Sequence, residues 1–184
     1  YAKEEKADYF IFDGGGLGST LRNEIDRHLR GIKIDIVMFR GQETVRKPEA
    51  MYQFENKGMP IQNQKTNKDA FENLRTQKIV ELYVRFYKTY RAVKFGEYSD
   101  PEQMISISSK IKDIDILRSE TCRIPLTKSA NGKMLAMTKE KMKAAKMKSP
   151  NMFDAVMMSL DIPDTIMNRA PVAQPRPIQR FPTR

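Results

Sequence analysis

Asp13 closes a run of aromatic and β-branched residues, Tyr9 to Phe12, and is followed at once by Gly14-Gly15-Gly16-Leu17-Gly18. A carboxylate at the carboxyl end of a buried strand stands where open α/β sheets place their sites. Glycines beside it clear away side chains, so that a large ligand backbone can approach closely. The same spacing also suits a plain strand-to-helix turn in which Asp13 caps amides. Two phosphate cradles are excluded by pattern. A dinucleotide fingerprint begun at Gly14 or Gly16 would need its third glycine at Ser19 or Leu21, and no Gly-Lys-Ser/Thr follows to make a Walker A loop.

Asp154 is the second candidate. It is the only ionisable residue between Lys148 and Asp161, inside Ser149-Pro150-Asn151-Met152-Phe153-Asp154-Ala155-Val156-Met157-Met158. Such a segment, apolar almost all round, predicts a buried helix. A buried carboxylate needs a cation or strong donors. Two readings stay open: an ion pair with a lysine or arginine, or a metal ligand facing Asp13 across the core. A single histidine, His28, and a single cysteine, Cys122, exclude a zinc site of the usual kind and leave little scope for Cys–His or Ser–His catalysis. Two lone acids suit a hard cation, Mg²⁺ or Mn²⁺, bound through carboxylate oxygen and water. A pair of such ions can activate water and stabilise the leaving oxygen of a phosphodiester.

Lys139, Lys141, Lys143, Lys146 and Lys148 lead directly into the Asp154 segment. They read either as a solvated face or as a rim contacting phosphates, which Arg46, Lys47, Lys128 and Lys133 would extend. The whole chain points the same way. With 33 Lys and Arg against 23 Asp and Glu, the net charge of +10 favours a polyanionic partner. No apolar run approaches the ~18 residues of a membrane span, and nucleic acid is favoured over a membrane surface. The lone cysteine rules out a disulfide within the chain and suits a reducing compartment. Cys122 is expected in the core, His28 on the surface, and the 12 methionines as core filler.

The elements that must position these residues follow from periodicity. Tyr9 to Phe12 predicts a strand, Leu21 to Leu29 a helix stopped by Gly31, and Ile32 to Phe39 a second strand. Strand, helix and strand in so short a span make a βαβ unit with parallel pairing. Residues 40–68, rich in breakers, predict a long loop with a helical turn near Ala50 to Phe54. Asn67 to Arg91 predicts the longest helix, and Asp100-Pro101 opens another expected to reach Lys110. Cys122 to Lys128 and Lys133 to Met137 predict a hairpin around Asn131-Gly132. A helix or turn over Lys139 to Lys148 and a last helix from Ser149-Pro150 to about Leu160 complete the domain. From Pro163 on, five prolines, four arginines and a single acid, Asp164, predict a flexible basic tail.

The order of these motifs carries a resemblance. The strand ending Asp-Gly-Gly-Gly-Leu-Gly, Asn73-Leu74-Arg75 in a long helix, Asp100-Pro101-Glu102, Asn131-Gly132-Lys133, the lysine-rich run, and Ser149-Pro150-Asn151 leading to Asp154-Ala155 stand in register. Together they resemble, over roughly Ala7 to Leu160, the RNase H-like nuclease domain of the large terminase subunit of tailed bacteriophages.

The resemblance implies an α/β fold, a mixed sheet flanked by helices with an added β-hairpin. Residues 1–162 would form the nuclease domain and 163–184 the tail. It implies a metal-dependent endonuclease that cuts concatemeric double-stranded DNA, with two Mg²⁺ or Mn²⁺ ions in the complete site. Asp13 matches the family's second acid, Asp154 its last, and Asn151 a position where some members carry an extra residue beside the metal. Implied partners are double-stranded DNA, an ATPase domain of the same polypeptide, portal protein and the small terminase subunit, in the host cytoplasm. The family's first acid lies on an opening strand, and no strand precedes Tyr9. One ligand is therefore expected to be missing, with weak metal affinity and low activity. The alternative is a non-catalytic module that grips DNA or docks the motor to the portal.

Overall fold

A computed structural model describes residues 7–52 and 65–162. The βαβ unit is present. Strand β1 (Tyr9–Asp13) pairs in parallel with β2 (Asp35–Phe39), Tyr9 opposite Asp35 and Asp13 opposite Phe39. Between them run a 3-10 turn (Gly16–Thr20) and helix α1 (Arg22–His28), which leaves His28 exposed as expected. The parallel pairing sets the end of β1, and therefore Asp13, beside the chain leaving β2.

The long amphipathic segment is two helices rather than one. Helix α2 (Asn67–Ala70) ends in extended backbone at Phe71, and α3 (Leu74–Phe95) begins again with Asn73 as its cap, whose side chain accepts from the Thr76 amide. Tertiary packing overrides the helical period here. Phe71, 2% exposed, bridges to Met134, and the Glu72 amide donates to the Met134 carbonyl. Gly96, at φ 68°, ends α3 in the left-handed conformation that glycine adopts without a Cβ penalty.

The helix expected from Asp100 to Lys110 is absent. Only a 3-10 turn (Pro101–Gln103) forms, and Ile105 and Ile107 then run extended along α3, the Ile105 amide donating to Thr89 Oγ. The alternation Ile105-Ser106-Ile107-Ser108, with the isoleucines turned inward, is a period of two. Helix α4 (Ile114–Thr121) follows, built on Leu117 and Glu120, which are both buried. Because α4 ends at Thr121, the third strand shortens to β3 (Leu126–Lys128), and Cys122 is exposed rather than in the core.

Strand β3 pairs antiparallel with β4 (Met134–Ala136), and the turn takes Gly132 to φ 75°, as the Asn-Gly signal predicts. Helix α5 (Lys139–Ala144), capped by Thr138, and helix α6 (Asn151–Met158) follow. The main core gathers Phe39, Leu74, Ile79, Leu82, Leu117 and Phe153 with smaller neighbours, so β2, α3, α4 and α6 share one interior. The expected turn near Ala50 to Phe54 lies partly outside the described residues, and Met51 there forms an isolated bridge with Thr66. The expected tail lies wholly outside them.

Candidate active site

Asp13 is held by the turn that follows it. Its Oδ1 accepts from the Gly15 amide at 2.9 Å, while the Gly14 amide donates to the Phe39 carbonyl at 2.7 Å. The glycines are required by contact as well as by conformation. A Cβ on Gly18 would lie 1.8 Å from the Asp13 carbonyl oxygen, and one on Gly14 would lie 2.4 Å from Met38 Cγ. Asp13 therefore does cap an amide. Its Oδ2 remains directed outward, with the side chain about half exposed.

Asp154 comes to the same place from the first turn of α6. Its side chain is 8% exposed, and both of its oxygens face cations. Oδ1 lies 3.5 Å from Arg75 Nη2, a guanidinium anchored by its Nη1 to the Met137 carbonyl at 3.0 Å. Oδ2 lies 3.2 Å from Lys139 Nζ, and that ammonium is also 3.2 Å from Asp13 Oδ2. The two carboxylates, remote in the chain, thus lie within about twice that distance of one another.

Lys139 feels opposing influences. Burial works against its charge most strongly, but the attraction of Asp154, then that of Asp13, outweighs it and raises its pKa above the ordinary lysine value. Although the Lys139 ammonium is close to Asp154 Oδ2, it is not aligned to donate, and this buried oxygen has no hydrogen-bond partner among the described residues.

Around these groups opens a cleft of about 430 Å³, lined by Asp13, Gly15, Gln42, Arg75, Lys139 and Glu140 among others. The donor set fits a hard cation: two convergent carboxylates, one with an unsatisfied buried oxygen, and no histidine or thiol. Among the described residues no group of three acids, histidines or cysteines gathers to form a complete ligand set.

Solved structures with the same fold settle the family. The chain superimposes with TM-score 0.77 on the nuclease domain of the large terminase subunit gp2 of bacterial virus Sf6, at 37% identity over 88% of this chain and 68% of that one. The chain belongs to the large-terminase nuclease family. Its sheets and helices are those of the RNase H-like fold. Similar matches are a lysine-to-alanine variant of the Sf6 domain with manganese and beta-thujaplicinol (TM-score 0.77, 36% identity, 88% and 68% coverage) and the same kind of variant with calcium (TM-score 0.75, 36%, 88% and 68%). No family model and no curated sequence matches the chain.

For this terminase nuclease domain, the remaining sequence-derived candidates divide by environment. Asn151 is exposed at the start of α6, where its Oδ1 accepts from Ser149 Oγ at 2.8 Å, and it does not line the cleft. Arg46 is engaged elsewhere, its Nε and Nη2 donating to the buried Asp161 at 3.0 and 2.8 Å. Lys128, Lys141, Lys143, Lys146 and Lys148 are exposed and Lys133 is half-buried, and among the described residues none of them makes an ion pair. Lys47 is exposed and adopts φ 49°. Sequence reasoning missed Arg75 and Glu140 in the cleft. For Glu140 the signal was its place beside Lys139; Arg75 stood in the Asn73-Leu74-Arg75 motif of the resemblance, within the helix expected from Asn67, but was given no role there. Its own amide, then the Thr138 hydroxyl, hold the Glu140 carboxyl below the usual range.

Proposed function

We propose that this chain is the metal-dependent endonuclease module of a DNA-packaging terminase, cutting concatemeric double-stranded DNA by two-metal phosphodiester hydrolysis. The observation that carries the reading is the convergence of Asp13 and Asp154 on one cationic point inside a cleft. Membership in the nuclease family supports it, as do neighbours prepared with manganese and with calcium.

In this reading Asp13 and Asp154 are the metal ligands, with Mg²⁺ or Mn²⁺ as the ion. When bound, the ions supply an activated water and neutralise charge on the phosphodiester. The chain's own residues do the rest. Asp13 enters from β1 with Oδ1 fixed on the Gly15 amide, so that Oδ2, now paired with Lys139, is the oxygen that would bind. Arg75, 3.5 Å from Asp154 Oδ1, keeps that carboxylate turned toward the cleft. Lys139 holds the two carboxylates together as a cation and must move aside for a divalent ion. The exposed lysines of residues 141–148 would bear on the DNA backbone, and a complete two-ion site needs a further acid besides these two. Portal protein, the small terminase subunit and the ATPase domain are the proposed partners.

The test is Mn²⁺-dependent plasmid nicking by the wild type, Asp13→Asn and Asp154→Asn. Loss of metal ligation should reduce nicking by more than about a hundred-fold in each variant. Unchanged cleavage in both would refute the nuclease reading and leave a DNA-gripping or portal-docking module.

A further inference from the structure

Helix α6 has no cap of its own. Pro150 at its start offers no side-chain acceptor, and the Ser149 hydroxyl is turned to the Asn151 side chain. The first amides of a helix lack partners within it and must be satisfied from outside. One of them, the Phe153 amide, donates across the interior to Glu120 Oε2 of α4 at 2.9 Å, a bond buried at both ends. Glu120 itself is 5% exposed. Among the described residues no lysine or arginine pairs with it. Its acceptor oxygen faces the N-terminal end of α6 instead.

We propose that Glu120 is a positioning residue for the nuclease reaction: by capping α6 from α4, it fixes the helical turn that carries Asp154. The inference rests on the metal role proposed for Asp154 and adds the group that sets that ligand's approach. Phe153 immediately precedes Asp154, and the Asp154 amide makes the helix's first internal bond, to the Pro150 carbonyl at 2.8 Å. The Phe153 ring, fully buried 5.7 Å from the Tyr83 ring, holds the helix laterally. Glu120 holds it end-on, and Arg75 grips Asp154 Oδ1 from α3. The turn and its carboxylate are thereby held by three contacts from two elements, α3 and α4, while Oδ2 faces the Lys139 ammonium at 3.2 Å. Glu120 touches neither metal nor DNA. Without it the first turn of α6 is free to fray, and a ligand in a fraying turn binds metal poorly. Loss of an outer-shell partner of this kind costs about ten- to a hundred-fold in metal affinity.

The experiment measures Mn²⁺ affinity by calorimetry, and exchange of the Phe153 amide by NMR, on the whole chain. Glu120→Ala is expected to weaken Mn²⁺ binding about ten-fold or more and to expose the Phe153 amide to exchange. Glu120→Gln, which keeps an oxygen acceptor, should restore most of both. Leu117→Ala, on the same helix but away from the cap, serves as the stability control and should leave Mn²⁺ affinity within about two-fold while the chain is folded. If Glu120→Ala fails to fold, Glu120→Asp, one methylene too short to reach the amide, is read in its place. Wild-type Mn²⁺ affinity in the shortened or truncated variant, or an equal loss in Leu117→Ala, would overturn the proposal. Undiminished Mn²⁺ binding by Asp154→Asn would instead remove the metal reading itself, and this inference with it.

Discussion

Asp13 and Asp154, carried by a strand and a helix from opposite ends of the chain, each place Oδ2 3.2 Å from a single ammonium, that of Lys139. Two carboxylates brought this close repel unless a cation lies between them. The ammonium supplies one positive charge where a divalent ion would supply two. Of the two readings of Asp154 that the sequence leaves open, the ion pair is observed, with Arg75 and Lys139; the proposed cation site would use the same geometry.

Replacing Lys139 should accordingly favour metal. Lys139→Ala is expected to tighten Mn²⁺ binding by about ten-fold, since it removes a competing charge from a partly exposed site. Titration calorimetry checks this, and weaker binding in the variant would show that Lys139 helps to hold the ion. The pH dependence has a definite sign. The pKa of Lys139 is raised on folding, so its ion-pair contribution to stability is complete below the ordinary value of 10.5 and is lost as pH rises through the higher folded-state value. The difference in Tm between wild type and Lys139→Ala should therefore stay constant up to that pH and shrink only above it.

Arg75 is the structural counterpart. Its side chain and that of Asp154 are only 11% and 8% exposed, and breaking a buried pair by removing one partner costs about 3–5 kcal/mol. Arg75→Ala should lose about 3 kcal/mol in urea unfolding, and Arg75→Lys should recover little, because one ammonium cannot reproduce the fork to Met137 and Asp154. A loss below about 1 kcal/mol would place Lys139 alone in charge of the carboxylate.

How much of this was legible depends on whether a residue's partner is local. Asp13 and Asp154 could be read because each stands alone among apolar or glycine neighbours, and the parallel βαβ unit followed from local period. Arg75 and Glu120 could not be read, because their partners lie 79 and 33 residues away and exist only after the core forms. Arg46 looked like part of a phosphate rim for the same reason, since Asp161 meets it 115 residues later. The start of α3 and the stretch after Pro101 were misread where burial of Phe71, Ile105 and Ile107 decides the backbone.

Arg46 and Lys143 should therefore behave differently on DNA. Among the described residues Arg46→Ala leaves the buried Asp161 with only Lys78 at 3.7 Å, so it should lower Tm while leaving the salt dependence of DNA binding unchanged. Lys143→Ala should do the reverse, reducing the slope of log affinity against log salt by about one with no change in Tm. Fluorescence anisotropy across a salt series, paired with thermal melts, separates the two. An unchanged slope in Lys143→Ala would remove it from the phosphate rim.

The central claim, that Asp13 and Asp154 share a divalent cation, is tested most directly by crystals of Lys139→Ala grown with Mn²⁺ and read by anomalous scattering. The expected result is a peak within direct coordination distance of both carboxylates, absent from the Asp154→Asn variant grown in the same way. A cleft without such a peak at saturating Mn²⁺, or a peak that survives Asp154→Asn unchanged, would contradict it.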